Sequence, residues 1–170
     1  MPDAGFLDEL AWRGMLHQTT DDDGLPAFLS EPGRVAYCGF DPTGSSLTIG
    51  NFVAIKLLAH WQRCGHTPIV LMGGGTGLIG DPSGKDAERQ LLDAGQVQAN
   101  VDSCRRIFER VLDFDPAKPN AARIVNNADW LCGLGYVDML RDVGKHFSVN
   151  MMIQKDSVRD RLENREQGIS

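Results

Sequence analysis

Residues 47–51, LTIGN, set a hydroxyl and a carboxamide around a glycine, directly after the turn DPTGSS. If a helix starts there, its free N–H groups and its dipole present about half a positive charge to whatever lies in front. Thr48 and Asn51 then share one face, and Gly50 leaves room for a flat ring against the backbone. The chemistry of such a turn is the binding of phosphates and nucleotides. A second stretch, GGGTGLIGDPSGK at 73–85, carries further candidates. Gly75, Gly77 and Gly80 fit GxGxxG, but Asp81-Pro82 interrupts the helix that a dinucleotide fingerprint should open. A Walker A loop fails too, because three residues separate the glycines of GDPSGK and neither Ser nor Thr follows Lys85. Two readings remain open: a loop whose backbone must approach other backbone, or one on which a ligand lies, with Asp81 as a fixed negative charge.

The elements that must position these groups follow from hydrophobic spacing. FLDELAWRGML at 6–16 has helical spacing weakened by Gly14, and QTTDDDGLPAFL reads as a polar turn leading to a short apolar segment. RVAYCGF at 34–40 is a buried strand, followed by a turn in which Ser45 or Ser46 is available as N-cap. From Leu47 to Cys64, residues Ile49, Phe52, Val53, Leu57, Leu58 and Trp61 form one apolar face, with Gly65 as terminator. TPIVLM at 67–72 is the next strand, which completes a right-handed βαβ crossover. Val97, Val101, Cys104, Phe108 and Val111 mark a helix over 97–112, ARIVNN a third strand, and 136–143 and 150–165 two more helices. This alternation predicts an α/β fold, a Rossmann-like doubly wound parallel sheet over 34–170, preceded by an N-terminal helical extension over 1–33. Ligands of such sheets sit outside the carboxyl ends of the strands, so Tyr37–Asp41 and Gly73–Asp81 should line one crevice.

Composition narrows the function. The 170 residues suffice for one domain, and 42% hydrophobic with 24% charged residues is ordinary globular usage. A formal charge of −6 excludes a chain that grips nucleic acid mainly through overall basicity. No apolar run long enough to span a membrane occurs, and MPDAGFLDEL lacks the basic and apolar regions of a signal peptide, so the expected location is cytoplasmic. Cysteines at 38, 64, 104 and 132 and histidines at 17, 60, 66 and 146 fit no zinc spacing, so no resident metal is expected. Cys64 and Cys104 read as packing residues. No nucleophile–base pair stands out.

YCGFDPTGSSLTIGN and GGGTGLIGDPSGK closely resemble the bacterial-type tyrosyl-tRNA synthetases, which are class I aminoacyl-tRNA synthetases. ELAWRGMLHQTTD, NNADWL and RDVGKHFSVNMMIQKDSVRDR are similar to the same family, so the resemblance runs from about residue 6 to the last residue. It implies the class I synthetase catalytic fold and a ligase that activates L-tyrosine with Mg·ATP, then passes the tyrosyl group to tRNA(Tyr). By that resemblance Tyr37 faces the substrate phenol, Asp81 its α-ammonium, and Asn127 stands behind Asp81. Cys38 and Asn51 contact the ATP ribose, while Gly39, Asp41 and Gly50 line the crevice. Thr43, Lys85 and Arg89 gather around the departing pyrophosphate, and Gly84 would let the loop of Lys85 and Arg89 move.

LTIGN occupies the place of the family's HIGH motif, and Thr48 stands where the first histidine supports the phosphates. Threonine reaches less far and carries no charge, so phosphate handling by Thr48 is the main departure; Asn51 is a mild one, since an amide also donates. The family continues with a second set of tyrosine-binding groups, a KMSKS-type loop and an anticodon-binding region. The expectation is therefore the N-terminal part of a longer, dimeric enzyme, inactive by itself, with tRNA(Tyr) held mostly elsewhere. Two other readings compete. A TxGH-type nucleotidyltransferase is opposed by Asn51 in place of its second histidine. A non-catalytic nucleotide-binding module derived from the synthetase is favoured by Thr48 and opposed by Tyr37, Asp81 and Lys85.

Overall fold

A computed structural model describes residues 5–79, 92–155, 158–159 and 162. Three strands, β1 (Val35–Phe40), β2 (Thr67–Met72) and β3 (Arg123–Asn126), form one parallel sheet in that order. The register sets Tyr37 beside Ile69 and Gly39 beside Leu71, while Leu71 and Met72 lie beside Val125 and Asn126. Helix α3 (Ile49–Arg63) makes the first crossover, and α4 (Ala94–Phe108) lies in the second.

Strand alternation decides what these helices cover. Phe40, Val70 and Met72 face Ile55 and Leu58 of α3 and Val101, Cys104 and Phe108 of α4 in one buried cluster. Phe40 and Phe108 meet edge to face with ring centroids 4.9 Å apart. The alternate residues Val35, Tyr37 and Gly39 point to the other face and are exposed. Among the described residues, both crossover helices pack on the same face. The Tyr37 face is open.

The local boundaries have identifiable causes. α1 (Phe6–Trp12) ends four residues short of the expected 16, because Gly14 turns left-handed at φ 66°. It packs on α3 through Phe6, whose ring meets Trp61 edge-on at 4.9 Å. A short helix, α2 (Gly24–Leu29), occupies part of the stretch expected as turn and apolar segment, its first N–H capped by the Asp21 carboxylate at 2.9 Å. Gly65, at φ 85°, ends α3 as expected. α4 begins three residues before 97 because Asp93 caps it, accepting from the Gln96 amide at 2.8 Å.

After β3 come α5 (Ala128–Leu131) and α6 (Tyr136–Asp138). The chain then winds as a π-helix over Met139–Val143, so the helix expected over 136–143 changes its winding midway. A 3-10 turn (Gly144–His146) and α7 (Val149–Ile153) follow. Much of the expected helix over 150–165 falls outside the described residues. No helix among the described residues is long and apolar enough to cross a membrane.

Candidate functional site

The turn between β1 and α3 is held from behind by α4. Asn100 Nδ2 donates to the Pro42 carbonyl at 2.9 Å, Ser103 Oγ to that of Ser45 at 2.7 Å, and Cys104 Sγ lies 3.8 Å from that of Gly44. All three grip carbonyls. The amides of Gly44, Ser45, Ser46 and Leu47 have no hydrogen-bond partner among the described residues. The same is true of Ile49 and Gly50 in the first turn of α3. Thr43 and Asp41 are exposed in this turn, linked by the Thr43 amide to the Asp41 carbonyl at 2.9 Å. Among the described residues, this turn therefore carries a run of amides without acceptors.

The N-cap of α3 is Thr48 and not Ser45 or Ser46. A capping box needs a partner three residues on, and only Thr48 has one, in Asn51. The Thr48 amide donates to Asn51 Oδ1 at 2.9 Å and the Thr48 hydroxyl to the same oxygen at 2.8 Å. The Asn51 amide returns a longer bond to Thr48 Oγ1 at 3.4 Å.

The glycine loop after β2 is built in the opposite sense. Gly73 N–H donates to the Phe40 carbonyl at 2.9 Å, Gly74 N–H to Asn126 Oδ1 at 3.0 Å, and Gly75 N–H to Asn127 Oδ1 at 2.7 Å. Thr76 N–H reaches the same Asn127 oxygen at 3.4 Å, while the amides of Gly77, Leu78 and Ile79 close the 3-10 turn over Thr76–Leu78. Every amide from 73 to 79 is therefore engaged, and none is left for a phosphate. Of the two readings left open for this loop, close backbone approach is what its described part displays. A Cβ on Gly75 would lie 3.2 Å from the Ala128 backbone, and one on Gly74 would overlap the Asn126 carboxamide.

Asn127 is 8% exposed, with its Nδ2 donating to Thr76 Oγ1 at 3.1 Å. It holds the loop in place. Asn126, Asn100 and Thr76 do similar work and escaped the sequence reading. Their signal, an asparagine doublet closing a strand, is visible only once the loop it grips is known.

Tyr37 stands on the open face, 71% exposed, beside Gly39. Cys38 turns the other way and packs against the helical core; burial raises its thiol pKa above the ordinary value. A Cβ on Gly39 would meet nothing within 4 Å, and one on Gly50 only Thr48 Oγ1 at an ordinary 3.6 Å. Neither glycine is required by its neighbours. The turn at Asp41 also touches the glycine loop, since a Cβ on Gly73 would fall 2.7 Å from Asp41 Oδ1. Asp41, Thr43, Thr48, Gly50 and Asn51 lie in the first turn and the start of α3, Tyr37 and Gly39 stand on the open face of β1, and Asn127 holds the second turn. Asp81, Lys85 and Arg89, with Gly80 and Gly84, lie outside the described residues. Among the described residues no group of three His, Cys, Asp or Glu side chains is arranged to hold a metal.

Residues 31–170 match the sequence profile of the family described as tRNA synthetases class I (W and Y). A tyrosine–tRNA ligase of Bartonella henselae is 52% identical over 165 residues, which are 97% of this chain and 39% of that protein. A tyrosine–tRNA ligase of Geobacillus kaustophilus is 53% identical over 158 residues, 93% of this chain and 38% of that protein. Among solved structures, a C-terminally truncated mitochondrial tyrosyl-tRNA synthetase of Coccidioides posadasii superposes with a TM-score of 0.78 at 25% identity. That match covers 98% of this chain and 47% of the other. The chain thus spans well under half the length of these curated relatives.

Proposed function

The chain belongs to the class I tRNA synthetases of the tryptophan and tyrosine group, and on that premise we propose that it forms the nucleotide- and tyrosine-binding part of a tyrosine–tRNA ligase. The single observation that carries this reading is the pair Gly39 and Gly50. Glycine within a strand or helix costs roughly 0.5–1 kcal/mol relative to alanine. Among the described residues no neighbour requires it at either position, and a ligand lying against bare backbone would explain both. The amides at 44–47, 49 and 50, without partners among the described residues, would supply the donors that a polyphosphate needs.

In the proposed reaction a tyrosine carboxylate oxygen attacks the α-phosphorus of ATP, which enters with its Mg²⁺ as the substrate complex. The new P–O bond forms as the bond to pyrophosphate breaks, giving tyrosyl-adenylate. A ribose hydroxyl at the tRNA(Tyr) terminus then attacks the tyrosyl carbonyl, and AMP leaves. No enzyme nucleophile is needed; the chain orients reactants and stabilises charge. Tyr37 would bond the substrate phenol, with Asp81 receiving its ammonium and Asn127 fixing the loop that leads to Asp81. Asp41 and Gly39 would line the space between the substrates, and the Cys38 side chain, which packs into the helical core, would take no part in holding the ribose. Thr43, Lys85 and Arg89 would meet the pyrophosphate. The net charge of −6 supports a tRNA grip that lies mostly outside this chain. Trp130, Tyr136, Val137, Leu140, Phe147 and Val149 are all exposed, an apolar surface that supports a homodimer.

The test is tyrosine-dependent ATP–pyrophosphate exchange by the gene product that carries this chain, with wild type beside Tyr37→Phe. Exchange with tyrosine is expected, and the variant should discriminate less well against phenylalanine, because a site built around a hydroxyl rejects its absence; tyrosine-activating enzymes are the standing illustration of that rule. Wild-type protein that exchanges pyrophosphate with no tyrosine dependence would refute the assignment.

A further inference from the structure

The capping box at the start of α3 does more than close a helix. A backbone N–H can only donate, so the Asn51 side-chain atom 2.9 Å from the Thr48 amide is the carboxamide oxygen. That oxygen also receives the Thr48 hydroxyl at 2.8 Å. A hydroxyl has one proton, and this one is committed to Asn51. Its lone pairs face the Asn51 amide at 3.4 Å. Thr48 therefore has no donor left for a ligand oxygen. With Oδ1 turned inward, Asn51 Nδ2 is directed to the opposite side of the carboxamide, and it has no hydrogen-bond partner among the described residues. Beside it are the unpartnered amides of Ile49 and Gly50.

We propose that Thr48 is a positioning residue whose hydroxyl locks the Asn51 carboxamide, so that Asn51 Nδ2, and not Thr48, donates to an oxygen of the bound nucleotide. The inference rests on the functional reading above, and it reverses the phosphate-handling role that the family resemblance implies for Thr48. The histidine that stands at this position in the HIGH motif acts directly; here the side chain works one bond further back. The pair fails if either member is lost. Threonine fits this task, since its β-branched side chain has few rotamers and holds the hydroxyl in one place.

Two measurements test it. In pyrophosphate exchange, Thr48→Val should raise KM for ATP or lower kcat by about tenfold, the scale of one orienting hydrogen bond. KM for tyrosine should stay unchanged, and Thr48→Ser should restore the rate. In an Asn51→Ala background, Thr48→Val should cost nothing further. An additional loss of similar size in that background means that Thr48 touches the nucleotide itself and overturns the proposal, as does a Thr48→Val enzyme with wild-type constants. The second measurement needs no turnover. The Asn51 side-chain amide resonances should shift on addition of ATP in wild type and Thr48→Ser, and much less in Thr48→Val. Equal shifts in all three overturn the proposal. Absence of tyrosine-dependent exchange with these ATP shifts intact overturns the functional reading and leaves this one standing.

Discussion

The turn after β1 and the turn after β2 lie side by side at the carboxyl end of one sheet, and they use their backbone in opposite ways. Side chains that hold the first turn are donors. Asn100 and Ser103 grip the carbonyls of Pro42 and Ser45, and the N–H groups from 44 to 47 stay open. Side chains that hold the second are acceptors. Asn126 and Asn127 take up the amides of Gly74, Gly75 and Thr76. The glycine-rich turn, which a motif search singles out, is saturated; the turn with fewer glycines is the one able to receive an anion. Free donors and not glycine content decide whether a turn can receive an anion.

The largest test of that contrast is Asn127→Ala. It strips the buried Gly75 amide of its acceptor and removes the partner of Thr76 Oγ1. A loss of about 2–3 kcal/mol is expected from urea unfolding, with an unchanged m-value. Asn127→Asp keeps the accepting oxygen and should lose less. If alanine costs nothing, the loop amides have other partners and the contrast collapses. Asn100→Ala should cost about 1 kcal/mol, because it orphans a carbonyl, and an under-satisfied carbonyl is tolerated better than an orphaned N–H. A reversed order of these two variants would break the argument. Gly50→Ala sharpens it from the other side. Its Cβ meets only Thr48 Oγ1 at 3.6 Å, so stability should rise by about 0.5 kcal/mol while ATP binding weakens. Unfolding curves and ATP titration of one preparation decide it.

How far the sequence reveals this arrangement depends on range. RVAYCGF and TPIVLM show their strands because continuous apolar runs bounded by breakers are local signals, and α3 shows itself through helical apolar spacing. Its buried face differs from the expected one: Leu58 and Trp61 are buried with Ile55 and Ala59, while Ile49, Phe52 and Val53 are exposed. Alternation of these elements is enough for the parallel α/β sheet. The N-cap is harder. Ser45 and Ser46 look eligible by residue type, and the choice of Thr48 depends on Asn51, an unusual partner in a motif that normally ends in Glu or Gln. The state of the glycine loop is not readable locally at all, since its acceptors, Asn126 and Asn127, come 52 positions later. Asn127 enters the sequence reading as a substrate-side residue by resemblance, and its engagement with the loop appears only in three dimensions. The switch to π-helical winding at Met139–Val143 has no visible cause in the spacing.

The smallest expected effect lies at the opposite end of the sheet and serves as a control for both turns. His66 precedes β2, is 3% exposed, and its Nδ1 has no hydrogen-bond partner among the described residues. Trp61 covers its ring at a centroid distance of 4.3 Å. Burial first, and then the charge of Arg34, holds its pKa below the ordinary value of 6.5. His60 on α3 is depressed as well, by burial and by Arg63, Arg13 and Lys56, against the opposing pull of Glu9 with its carboxylate 3.5 Å away. Both rings are thus neutral in the fold and take up protons more readily when unfolded. Their contribution is fully present above the unfolded value of 6.5 and is lost as pH falls through the folded values. His66→Phe keeps the stack on Trp61 and deletes the unpaired nitrogen. Its stability at about pH 7.5 should stay within about 0.5 kcal/mol of wild type. Its Tm should decline less steeply between about pH 7 and pH 5.5, while ATP binding is unaffected. An unchanged slope would assign the titration to His60 alone, and a change in ATP binding would show that the two ends of the sheet are coupled.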